Sequence, residues 1–363
     1  MRRGLIAWSK EELPPAAIEA RCARLQAAMR TAGLDAVLVH TCFPRPAAVS
    51  WLTNFVPYWS EALLIVQPDG MPLMLASLSK RVHEWIREVS HMGEIIAAPH
   101  LGRATADLLA RTFAGRTPRI GVVELGHFSQ SHAAPIRARL GEGVLEDASD
   151  LFASVRQPAD AAEIALAGKA VVIAAAALAA APLGAATIPA LAAPVETAAR
   201  TGGAEECLIL VAPDLTVGTA LRRVEGESAL GARFAMQASV AYKTAWVRIA
   251  RSVASGPAPA SWRAADRWFD ALLPTLGADD LAGWPRHAPE PPGTLAAWTV
   301  ESCTGAAPLS VAAADGWIVR PLTPGSIAVL TVRLETADGP WLRAAPLVLG
   351  EATGTGRALA PGA

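Results

Sequence analysis

The sequence predicts a small α/β domain over roughly its first 150 residues, joined by a hinge to a larger second domain that ends rich in strands. Three observations predict it. Short apolar runs bounded by turn residues alternate with amphipathic stretches up to about residue 150. A segment with Pro158 and Asp160 then offers a fresh helix start. Beyond it, long apolar runs come in close succession toward the C-terminus.

Taken in order, "PPAAIEARCARLQAAMRTAGL" sets Ile18, Cys22, Leu25 and Met29 at helical spacing, and Gly33 ends the helix. "DAVLVH" is a buried strand, followed by a Pro-rich loop and "AVSWLTNF". "EALLIVQPDGMPLMLAS" reads as two strands around a Pro-Asp-Gly turn. "SKRVHEWIREV" is a short amphipathic helix, "RIGVVEL" a strand and "SHAAPIRARLG" a further helix. "LFASVRQPADAAEIALAGKA" is the hinge and opens a long helix from Ala161, which divides the chain into domains 1–155 and 156–363. The second domain continues through "CLILVAP", "RFAMQASVAYKTAWVRIARSVA", a helix near "ASWRAADRWFDALLPTL" and a closing strand-rich stretch.

Composition narrows the function. With 363 residues, 52% hydrophobic and 18% charged, the chain buries substantial cores. A formal net charge of −1 with no basic block argues against nucleic acid. Four cysteines (Cys22, Cys42, Cys207, Cys303) stand without a CxxC pair, which predicts neither zinc ribbon nor disulfide framework and favours a reducing cytoplasm. Lys10, Glu11 and Glu12 interrupt the apolar start, so no secretory signal is expected. Residues 170–195 carry no charged residue and are long enough to cross a bilayer, but Pro182, Gly184, Pro189 and Pro194 break the run into two soluble helices with a turn at "APLGAATIP". No membrane partner is expected.

The order of these segments resembles the creatinase / Xaa-Pro aminopeptidase / prolidase (M24) family. "RCARLQAAMRTAGLDAVLV" with "VSWLTNF" is similar to its N-terminal helix, strand and "YLTGF"-type segment; "RQPADAAEIALAGKAVVIAAAAL" to its linker and first helix; and "GAATIPALAAPVETAARTGGAEECLIL" to its Gly-Ala-Glu strand entry. The resemblance covers almost the whole chain. It implies a creatinase/prolidase-type α/β domain followed by an α+β pita-bread domain, in a dimer.

Members of that family hold two divalent cations with two Asp, one His and two Glu, because hard cations that generate hydroxide need negatively charged oxygen ligands. "GARFAMQ" and "AWVRIAR" fit the frame of the two Asp, which places Gln237 and Arg248 there. "ESCTG" stands nearest the His motif and gives Ser302; "LTPGSIAVLT" gives Thr331 and "WLRAAPLVLGE" gives Ala344 at the Glu positions. No ligand is retained, Glu335 and Glu351 are out of register, and the resemblance therefore implies no metal and no other cofactor.

Creatinase itself works without metal, through a His and substrate-holding glutamates. Here His287 sits in the Pro-rich "GWPRHAPEPPG", and Arg222 or Arg223 replaces the family's substrate His. Six histidines (His40, His83, His91, His100, His127, His132) belong to the first domain and read as structural, although a Cys42–His40 pairing stays open. "PYWSEALL" sets Tyr58, Trp59 and Glu61 as an aromatic-plus-acid edge for a cationic or amide ligand, or as part of a dimer core. Arg223, Arg248 and Arg251 converge, on the family frame, beside Gln237 and Ser302 as an anion pocket, unless Arg248 merely fills space and pairs with Glu301 or Glu227. The expected protein is a cytoplasmic, catalytically degenerate member. It would act as a partner subunit, in a homodimer or with an intact paralogue, or bind a small anionic or amide ligand. The alternative is a metal-free hydrolase of a small amide or C–N bond substrate carrying a carboxylate.

Overall fold

The computed structural model describes residues 7–57, 60–223, 226–302, 309–313, 322–352 and 354–359. The chain divides into two compact units, Met1–Arg156 and Gln157–Ala363.

The first unit runs α1 (Pro15–Ala32), β1 (Ala36–Thr41), α2 (Ala47–Thr53), β2 (Ala62–Val66), β3 (Leu73–Ala76), α3 (His83–Val89), β4 (Ile95–Ala97), α4 (Leu101–Thr112), β5 (Ile120–Val123), α5 (Gln130–Leu140), β6 (Leu145–Asp147) and α6 (Ser149–Val155). Its sheet has the order β4-β3-β2-β1-β5-β6. β2 is antiparallel to both β1 and β3, which is the hairpin expected around the Pro-Asp-Gly turn, and the remaining pairs are parallel. Leu38, Leu63, Leu75 and Ile120 pack with Leu101, Leu109 and Ile136 of α4 and α5. α1 is closed by Gly33 at φ 68°, whose N–H bonds back to Arg30 O, and Arg21 ties α1 to α2 by donating to Trp51 O at 3.0 Å. "AVSWLTNF" turns out mainly helical, with Trp51 buried against Phe152 of α6.

The second unit opens on α7 (Ala161–Ala179), where the Asp160 side chain accepts from the Glu163 N–H and supplies the expected cap. α8 (Ile188–Thr201), β7 (Glu206–Ala212), β8 (Arg222–Arg223), β9 (Arg233–Tyr242), β10 (Ala245–Ala254) and α9 (Ala260–Leu272) follow. The chain closes with β11 (Thr294–Ser302), β12 (Leu309–Ala313), β13 (Ile327–Thr336), β14 (Gly339–Val348) and β15 (Arg357–Ala358). Nine strands form one sheet in the order β12-β11-β13-β14-β10-β9-β7-β8, with β15 on β14. The apolar stretch 170–195 falls on the helix pair α7 and α8, broken as expected at the turn between them. α7 is long and apolar enough to span a bilayer by length and composition, yet Ala167, Val171, Ala174 and Leu178 pack against Met236, Ala238, Val240 and Val247 of the sheet. α9 covers the other end of that sheet face with Trp262, Trp268 and Phe269.

Candidate functional site

Alternation along the strands gives the large sheet one helix-covered face and one opposite face. Met236, Ala238 and Val240 meet the helices, so Gln237 and Ser239 lie on the opposite face. Cross-strand register then builds a row. Arg223 on β8 stands opposite Leu210 on β7, Leu210 opposite Gln237, Gln237 opposite Ala250, Ala250 opposite Ala344, Ala344 opposite Thr331 and Thr331 opposite Thr299. Gln237, Thr331 and Ala344, more than ninety residues apart at their extremes, thus share one line across the sheet. Arg223 sits at the exposed end of the same row, two strand spacings or about 10 Å from Gln237.

Arg248 lies one step along β10 on this face, opposite Ser239. Its Nε donates to Ser239 Oγ at 3.2 Å and its Nη1 to Glu301 Oε2 at 2.7 Å, with the two charged side chains 10% and 16% exposed. Gln237 Nε2 donates to the same Ser239 hydroxyl at 3.4 Å. Ser239 is the hinge of the cluster, and Glu301 is the carboxylate that answers the arginine. Arg333, on the same face two residues from Thr331, donates from Nη1 to Thr219 Oγ1 at 2.8 Å and joins the polar lining. Neither Ser239 nor Arg333 stands out in sequence, because a polar residue alternating with apolar ones is ordinary along a strand.

Two expected members fall elsewhere. Arg251 is three residues from Arg248, so it emerges on the helix side and donates to Leu178 O at 2.6 Å; it does not converge with Arg248 and Arg223. Ser302 follows Glu301 on β11, and the same alternation sets it on the other side from Glu301 and Thr299. His287 lies apart with Asp280, 3.2 Å away, on an exposed loop. Tyr58, Trp59 and Cys303 lie outside the described residues.

Glu61 belongs to the first unit, at the mouth of β2. Its Oε2 lies 3.1 Å from His40 Nε2 on β1 and 3.3 Å from His132 Nε2 on α5. Burial pushes the His40 imidazole below its ordinary range despite the bond to Glu61, and the adjacent His132 acts in the same sense. The open Cys42–His40 alternative gives way to this arrangement: His40 faces Glu61, and burial raises the Cys42 thiol. Burial also lifts the thiols of Cys22 to about 12 and Cys207 to about 11, which leaves both unreactive at neutral pH.

Residues 21–157 match the creatinase/prolidase N-terminal domain family. The whole chain superposes on the Xaa-Pro dipeptidase from Bacillus anthracis with a TM-score of 0.70 at 16% identity, covering 95% of this chain and 98% of that one. It superposes equally on the prolidase from Pyrococcus furiosus (TM-score 0.69, 15% identity, 94% and 98% covered) and on the X-Pro aminopeptidase from Thermotoga maritima (0.69, 15%, 93% and 97%). No curated protein matches the sequence significantly.

Proposed function

We propose that this chain, whose residues 21–157 match the creatinase/prolidase N-terminal domain family and which has the prolidase fold throughout, is a degenerate member of that family without peptidase activity. It serves as a partner subunit or holds a small polar ligand on the face of its large sheet opposite the helices. The observation that carries this reading is the Arg248–Glu301 ion pair. The residues that the family frame puts at the ligand positions offer an amide, a guanidinium, two hydroxyls and a methyl group. They do not fit a dinuclear cation centre: a guanidinium repels cations, and Glu301, the carboxylate beside it, is already engaged by it. The same pair weighs against the metal-free hydrolase, since an arginine bound to Glu301 and Ser239 is not held ready for a substrate carboxylate. Xaa-Pro dipeptides supply the test, because the structural neighbours are named for that bond. Incubated with Mn2+, Co2+ or Zn2+, the protein is expected to leave them intact. Turnover that Gln237→Ala or Thr331→Ala abolishes would overturn the proposal.

A further inference from the structure

The first unit brings together two imidazoles and a carboxylate that the open sheet face does not use. His40 comes from the end of β1, Glu61 from the residue before β2 and His132 from the first turn of α5, positions separated by 21 and 71 residues in sequence. Their three donor atoms all lie within 4.8 Å of one another. We propose that His40, Glu61 and His132 form a binding site for one Zn2+ ion per chain, independent of the prolidase-type site in the second unit.

The chemistry of the set favours this ion. Two imidazole nitrogens and one carboxylate oxygen are a borderline donor set that suits zinc, and they leave a fourth tetrahedral position for water. Spacing agrees. Zinc–ligand bonds of about 2.0–2.1 Å place tetrahedral donors roughly 3.3–3.4 Å apart. The two Nε2–Oε2 separations of 3.1 and 3.3 Å are near that edge already, so binding requires the ion to replace the imidazole protons with little movement of the backbone.

The scaffold holds the donors in place. His132 is 5% exposed in its side chain, and Phe128 packs against both imidazoles at centroid distances of 5.7 and 6.4 Å. The α5 backbone lies so close to α4 that a Cβ on Gly102 would stand 2.5 Å from Ser131 O and 2.6 Å from His132 Cα. Glu61, by contrast, is 44% exposed in its side chain, which gives the ion an entry route and the fourth position access to solvent. Bound zinc would clamp α5 to the paired strands β1 and β2.

Equilibrium dialysis of the full chain against buffered Zn2+, with the isosteric Glu61→Gln variant and His40→Asn beside it, tests the site. One equivalent is expected for the native chain, and each variant should weaken binding by more than about 100-fold, beyond the loss typical of an outer-sphere partner. Co2+ substitution should add the visible absorption of a tetrahedral ion. Far-UV circular dichroism of the metal-free variants verifies that they fold, and among the described residues the Glu61 side chain bonds to the two imidazoles alone. A native chain that retains no zinc, or zinc retained equally by both folded variants, overturns the assignment. Zinc unaffected by Glu61→Gln but removed by Gln237→Ala would belong to the sheet face and would overturn the reading of the second unit as well.

Discussion

Arg248 shows how one side chain decides between two histories of a site. Once buried at 10% exposure, its guanidinium must be matched, and Glu301 matches it. Breaking a pair of this kind leaves a charge without its partner, so Arg248→Ala should lower stability by about 2–3 kcal/mol in urea titration. The double change Arg248→Met with Glu301→Leu should recover most of that loss, because an apolar pair of similar volume needs no compensation. A double variant as unstable as the single would mean that Ser239 and its neighbours, rather than the ion pair, set the energetics of the face. Both candidate partners of Arg248, Glu301 and Glu227, were visible in sequence; choosing between them required the β11–β13–β14–β10 strand order. Arg251 teaches the converse. Its place on the helix side follows from a three-residue offset along a strand, a period-two argument that needed no coordinates.

Turns and crossings carry the next scale. The β9–β10 hairpin closes through Lys243 and Thr244, both in the left-handed region at φ 47° and 71°. A two-residue hairpin of that shape normally uses Asn-Gly, and a β-branched residue there is strained. Thr244→Gly should therefore raise the thermal midpoint, by an amount equivalent to about 0.5–1 kcal/mol. The α4–α5 crossing is sensitive in the opposite sense. Gly102 has backbone within 2.6 Å of where a Cβ would go, and main chain does not yield as a flexible side chain does. Gly102→Ala should cost about 2–3 kcal/mol by overpacking and, by shifting His132 away from Glu61, should weaken zinc binding along with stability. The hairpins and most helices were legible because their apolar periods are regular. The helical form of "AVSWLTNF" was not, since its seven helical residues are too few to display a period.

At the scale of the molecule, acid sensitivity gathers contributions from groups scattered through the fold. His83 is 5% exposed, its Nε2 finds no partner among the described residues, and burial together with Arg87 and Lys80 holds its pKa below the ordinary value. An imidazole with a folded pKa below its unfolded one takes up its proton more readily in the unfolded chain. Stability is therefore lost as pH falls from about 6.5 toward the folded value, and none is lost above that window. The urea midpoint should drop between pH 7.5 and 5.5, and His83→Gln should shrink that drop while lowering the midpoint at pH 7.5. An unchanged pH difference in the variant would remove His83 from the account.

Sequence alone determined the order of elements and the resemblance to that family, because these depend on local periodicity, caps and turns. By resemblance it also put Gln237, Thr331 and Ala344 forward as positions of one site. Only the tertiary structure decided what those positions make together. Strand register put them in one row and paired Arg248 with Glu301 across 53 residues of chain. The meeting of His40, Glu61 and His132 is of the same kind: three residues ordinary in their own segments become a donor set only where β1, β2 and α5 come together. Local physics is written along the chain, whereas chemistry at a site depends on contacts between segments that no local pattern records.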